Sequence, residues 1–194
     1  MSLQSLNGLI YCRKNALSCK DSTMSKLSKA LFSVSILTLL VLFTIVSLIG
    51  CNENHGVKIN EKAPSISGVD IYGKYETLSQ FKGNVIVLYF WTNSCCGEKL
   101  KQLEPYYEQN RHKGLTILAI NENNSKEVVE AYAKANSLTF SLQTAEMGMV
   151  AKEYGVFGFP TIFIIDREGV IRKKILGYVN IEQLANLVSQ ILVK

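Results

Sequence analysis

Two short stretches hold the residue types that can do chemistry. Phe90-Trp91-Thr92-Asn93-Ser94-Cys95-Cys96-Gly97-Glu98 closes an apolar run on two adjacent cysteines, and Gly158-Phe159-Pro160-Thr161 sets a proline just ahead of another apolar run. A cysteine in the first turn of a helix meets unpaired N–H groups and the positive end of the helix dipole, which favour its thiolate. Cys95 is therefore read as a nucleophile. Cys96 is harder to place. Neighbouring α-carbons lie about 3.8 Å apart, whereas disulfides prefer about 4.4–6.8 Å. A Cys95–Cys96 bond would be easily reduced and an oxidant if it forms; otherwise Cys96 points elsewhere and Cys95 reacts alone. Glu98, one turn on, would oppose the thiolate, accept a thiol proton, or sit as a solvated first-turn acid. Trp91 either flanks the site or fills the core.

The surrounding pattern supplies the elements that must hold these residues. Ile66, Val69 and Ile71 with Gly73 predict a short hairpin. Val85 to Thr92 is almost wholly apolar, the mark of a strand covered on both faces. Residues 96–112 fit a helix with Leu100, Leu103 and Tyr107 on one face and a kink near Pro105. Leu115–Asn121 reads as a second buried strand. Ser125 caps a helix to Asn136, with Val128, Val129 and Tyr132 inward. Then follow a short extended piece at Phe140–Leu142, a helix over Met147–Tyr154, and a strand over Thr161–Ile165. A turn at Asp166–Gly169 leads to a partner strand, Val170–Leu176, and a closing helix runs over Ile181–Val193 with Leu184, Leu187, Val188 and Ile191 buried. This order predicts an α/β protein, a mixed central sheet with helices on both faces and an N-terminal hairpin extension.

Of the 194 residues, 21 are basic and 16 acidic, a net charge of +5. The excess is concentrated in residues 1–50, where Arg13, Lys14, Lys20, Lys26 and Lys29 face only Asp21. The near-neutral remainder has no basic stripe and argues against nucleic-acid binding. Lys26 and Lys29 precede an uncharged run from Ala30 to Gly50, and Leu48-Ile49-Gly50-Cys51 follows. A basic start, an apolar core and a small residue before the cut are the parts of a secretory signal. Leu48–Cys51 also resembles the lipobox of bacterial lipoproteins, which implies lipid on Cys51. The alternative is an uncleaved membrane span. Either way residues 52–194 are exported and tethered in the bacterial cell envelope. Met24 offers a complete signal by itself, so residues 1–23 read as an over-extended start, 24–50 as the signal, 51–60 as a tether and 61–194 as the domain. Cys95 and Cys96 then lie in an oxidising compartment.

With these residues placed, residues 60–190 resemble the thioredoxin-like family of exported TlpA/ResA-type proteins, close to the AhpC/TSA redoxin group. Ala63-Pro64, Leu78…Gly83, Val85–Trp91 and Tyr154-Gly155-Val156…Gly158-Phe159-Pro160-Thr161-Ile162-Phe163-Ile164-Ile165-Asp166…Gly169 fall in the family's order. The resemblance implies a thioredoxin-like fold, a cis peptide before Pro160, and Phe159, Pro160 and Thr161 beside the reactive sulfur. It also implies thiol–disulfide exchange with exported protein thiols, by a monomer without an organic cofactor. The chain departs from the family's Trp-Cys-x-x-Cys: Ser94 replaces the second Trp, and Glu98 stands in place of the resolving cysteine. Family members often carry an acid just after the strand that ends near Asn121; this chain reads Asn121-Glu122-Asn123-Asn124 there.

Two other chemistries fit parts of the pattern. Thr92-x-x-Cys95 is half of a peroxiredoxin motif, although Leu88 stands where its proline belongs. Two soft sulfurs suit copper, but the histidines, His55 and His112, have no evident path to the site.

Overall fold

The computed structural model describes residues 31–43, 56–145 and 148–193. These fall in two compact units, Met1–Asn54 and His55–Lys194. In the first, residues 31–43 form a helix, α1. No helix among the described residues is long and apolar enough to cross a membrane. The rest of the proposed signal, with Cys51 and His55, lies outside the described residues.

The second unit is built on a five-stranded sheet of order β5-β4-β3-β6-β7. Its strands are β3 (Val85–Trp91), β4 (Leu115–Asn121), β5 (Ser141–Thr144), β6 (Thr161–Ile165) and β7 (Ile171–Leu176). The strands β3, β4 and β5 run parallel, while β6 and β7 return antiparallel. A separate hairpin of β1 (Ser67–Val69) and β2 (Tyr75–Thr77) forms the expected N-terminal extension. Every residue of β3 and β4 is buried, as expected of strands so rich in apolar residues.

Side-chain alternation divides the core. Val85, Val87, Tyr89 and Trp91 face one cluster, completed by Cys96 and Leu100, Val129 and Ala133, and Leu184 and Val188. Those residues come from helices α2 (Asn93–Leu100), α4 (Lys126–Ala135) and α6 (Ile181–Leu192). Ile86, Leu88 and Phe90 face the other, where Ile66, Ala151 and Tyr154 cover the sheet; Ala151 belongs to α5 (Met149–Glu153). Each large apolar side chain so buried contributes about 1.5–3 kcal/mol. The expected helix over 96–112 starts earlier and is broken. After α2 comes a 3-10 turn at Lys101–Leu103 and then α3 (Glu104–Asn110), which carries Pro105 in its first turn, where a missing N–H costs nothing. Val128 is 46 % exposed, not inward; Ala133 takes the buried place one turn beyond Val129. Residues 57–60, assigned to the tether by sequence, pack against the domain: Val57 covers the second cluster and Asn60 N–H donates to Ile171 O at 2.7 Å.

Candidate functional site

The parallel strands β3 and β4 end level with each other, Trp91 opposite Asn121. The chain leaves β3 through Thr92, the N-cap of α2, and reaches Cys95 in the first turn of that helix. Cys96 N–H closes the first helical bond to Thr92 O at 3.2 Å. Helix geometry leaves the preceding amides without intrahelical acceptors. One of them, on Asn93, donates to Asn124 Oδ1 at 3.1 Å. Asn121 Nδ2 donates to Asn93 Oδ1 at 3.2 Å, and Asn124 N–H donates to Asn121 Oδ1 at 3.1 Å. Three asparagines thus tie the start of α2 to the loop after β4. Asn121 is fully buried, and its amide at the end of an apolar strand was the sequence signal for this network.

Cys95 Sγ and Cys96 Sγ are joined in a vicinal disulfide. The two sulfurs have opposite surroundings. Cys95 is exposed, whereas Cys96 is 1 % exposed and belongs to the core cluster. Thr92 Oγ1–H donates to Cys95 Sγ at 3.2 Å, a contact that spacing alone did not reveal. Gly97 is buried against Tyr132, and a β-carbon at position 97 would stand 3.2 Å from Tyr132 Cε2. Tyr132 Oη–H donates to Gly97 O at 2.5 Å, and the Tyr132 ring lies 5.1 Å from that of Trp91. Burial, with a contribution from the Glu98 charge, pushes the Tyr132 phenol up to about 12, so it stays a donor at neutral pH.

Glu98 turns outward. Its side chain is 79 % exposed and pairs with Lys101 Nζ at 2.7 Å. Trp91 is fully buried, and its Nε1–H has no acceptor among the described residues. Glu122 follows β4, and its N–H donates to Trp91 O at 2.9 Å, continuing the ladder. Its carboxylate is buried with Oε1 unpartnered, and burial raises its pKa above the ordinary glutamate value.

The second stretch reaches the same end of the sheet. Thr161 pairs with Phe90, so the Phe159–Pro160 peptide, which is cis, lies beside the end of β3. Thr161 Oγ1 donates to Gly158 O at 2.7 Å, Gly177 N–H donates to Pro160 O at 2.8 Å, and Phe159 packs against both core clusters. Cys95, Cys96, Trp91 and the Phe159–Thr161 segment therefore share one end of the sheet. His112 does not. It is exposed in the turn before β4, whose first residue pairs with the first residue of β3 at the opposite end. Among the described residues no group of three or more His, Cys, Asp or Glu converges on a point.

A cysteine pair in the first helical turn beside a cis-proline loop, on this sheet, defines a thioredoxin-like thiol–disulfide oxidoreductase. The chain belongs to the AhpC/TSA family, whose pattern matches residues 59–174. It is 30 % identical over 171 residues to the thiol-disulfide oxidoreductase ResA of Bacillus thuringiensis, covering 86 % of this chain and 98 % of that one. Among solved structures, the thioredoxin domain of a thiol-disulfide oxidoreductase from Bacteroides vulgatus superposes with a TM-score of 0.63 at 25 % identity, over 71 % of this chain and 99 % of that one. StoA from Bacillus subtilis does so with a TM-score of 0.56 at 29 % identity, over 64 % and 96 %.

Proposed function

We propose that this protein is a membrane-tethered, extracytoplasmic thiol–disulfide oxidoreductase acting on exported protein thiols, with Cys95–Cys96 as its redox couple. The observation that carries the reading is the asymmetry of the pair, an exposed Cys95 Sγ bonded to a buried Cys96 Sγ in the first turn of α2. A substrate thiolate can approach only Cys95. Its attack forms a mixed disulfide there, breaks the Cys95–Cys96 bond and leaves the electron pair on Cys96. A second substrate thiolate then attacks the substrate sulfur and releases Cys95. The substrate gains a disulfide and the protein becomes the dithiol; the reverse sequence reduces a substrate. Pro160 and Phe159 shape the groove in which the substrate chain lies. Glu98, held by Lys101 in solvent, is assigned to the surface, where its spacing from Cys95 suits it to take the proton of an arriving thiol. Tethering rests on the run before Cys51 and on the lipobox resemblance.

The test is the intact mass of residues 52–194 after alkylation, with and without prior reduction. An oxidised monomer two hydrogens lighter, with both thiols blocked, supports the couple. Free alkylation of both thiols under oxidising conditions overturns it.

The Thr92–Cys95 contact favours a second reading, thiol peroxidase. Cys95 thiolate would take one peroxide oxygen to give sulfenic acid, and Cys96 would condense with it, releasing water and forming the same disulfide. Peroxide consumption with a thiol donor tests this; inertness removes it.

A further inference from the structure

The geometry points to the indole N–H of Trp91 as the hydrogen-bond donor that receives the Cys96 thiolate when the disulfide opens. This inference rests on the couple proposed above. Attack at exposed Cys95 expels the electron pair onto Cys96, whose side chain lies in the apolar cluster with Leu100, Leu103 and Val129. A thiolate released among such side chains is costly unless a donor meets it. Trp91 belongs to the same cluster, is fully buried, and its Nε1–H is the one buried side-chain donor without a partner among the described residues.

Tyr132 touches Trp91 and the residue next to Cys96. The Tyr132 ring packs against Trp91 at 5.1 Å and against the backbone of Gly97, the neighbour of Cys96, while the Tyr132 hydroxyl is engaged by Gly97 O. That engagement leaves the indole as an uncommitted buried side-chain donor beside this turn. A buried donor left unpaired is destabilising, so its lack of a partner in the oxidised state suits it to a partner formed on reduction. No proton is transferred: the S–S bond breaks, Cys96 carries the negative charge, and the indole N–H donates to it.

Trp91 is the only tryptophan in the chain, so ¹⁵N-labelled protein shows one indole cross-peak. The experiment records it in the oxidised and reduced protein across pH, with the two-hydrogen mass change measured on the same samples. The expected result is a downfield shift on reduction that grows as Cys96 ionises and is lost in Cys96→Ala. A cross-peak that keeps its oxidised position in protein shown by mass to be reduced, above the Cys96 ionisation, overturns the inference and leaves the couple standing. Failure of the mass change overturns both. In Trp91→Phe, opening of the disulfide by a small thiol should be disfavoured by roughly tenfold. An unchanged opening constant in a folded Trp91→Phe protein also counts against the donor.

Discussion

At Cys95 and Cys96 the difference in exposure sets different expectations for two near-identical substitutions. Cys95→Ser removes the solvent-facing sulfur of the pair, and exchange with a disulfide substrate should fall to background in a turnover assay. Cys96→Ser keeps the nucleophile and removes the resolving group, so a mixed disulfide with substrate should accumulate and survive on a non-reducing gel. Equal loss in both variants with no trapped adduct would contradict these roles. Glu122 carries a pH signature. Burial raises its pKa in the folded state, so the folded chain holds a proton that the unfolded chain releases near the ordinary value of about 4.3. The stability this gives is complete below that value and is lost as pH rises through the raised folded pKa. Glu122→Gln should therefore melt higher than the parent at neutral pH, with the gap closing near pH 4. A gap that widens on acidification would reverse the sign.

At the scale of elements, α2 is held by contacts from two directions. The asparagine network anchors its start to the loop after β4, and Tyr132 of α4 fastens its middle through Gly97 O. Glycine at 97 fits this close approach rather than any special backbone angle. Gly97→Ala should cost about 1–3 kcal/mol, the usual range for overpacking, and Tyr132→Phe about 1 kcal/mol for the lost hydrogen bond. Because the two residues touch, denaturant melts of a double-mutant cycle should be non-additive by at least about 0.5 kcal/mol. Additivity would show that the clamp does not couple the helices.

For the whole molecule, the proposed tether places a redox domain within a few residues of a membrane surface. Only five residues, 52–56, lie between the proposed lipid site and Val57, which packs against the domain. Each spans at most about 3.6 Å, which limits the reach to substrates near the bilayer. Full-length Cys51→Ser expressed in a bacterial host should lose incorporation of a labelled fatty acid and move to the soluble fraction. Retention of the membrane-bound form without label would favour an uncleaved span.

The sequence by itself determined the layered α/β fold, because short, mostly apolar runs rich in β-branched residues, such as Val85–Trp91 and Leu115–Asn121, mark doubly covered strands, and helical spacing such as Leu184/Val188 marks one face. It also singled out Cys95, Cys96 and Pro160, since cysteine at a strand-to-helix junction and proline before a strand are local chemistry. Only the tertiary structure decided which sulfur is accessible, that Glu98 faces Lys101 and solvent, and that Val128 turns outward. Packing also recruited Thr92, Tyr132 and the three asparagines, and left Glu122 Oε1 and Trp91 Nε1 buried without partners. Those properties depend on neighbours distant in the chain. Tyr132 meets Gly97 across 35 residues, and Asn121 meets Asn93 across 28. Exposure, hydrogen-bond pairing and proton affinity belong to surroundings that exist only once β3, α2 and α4 have packed together.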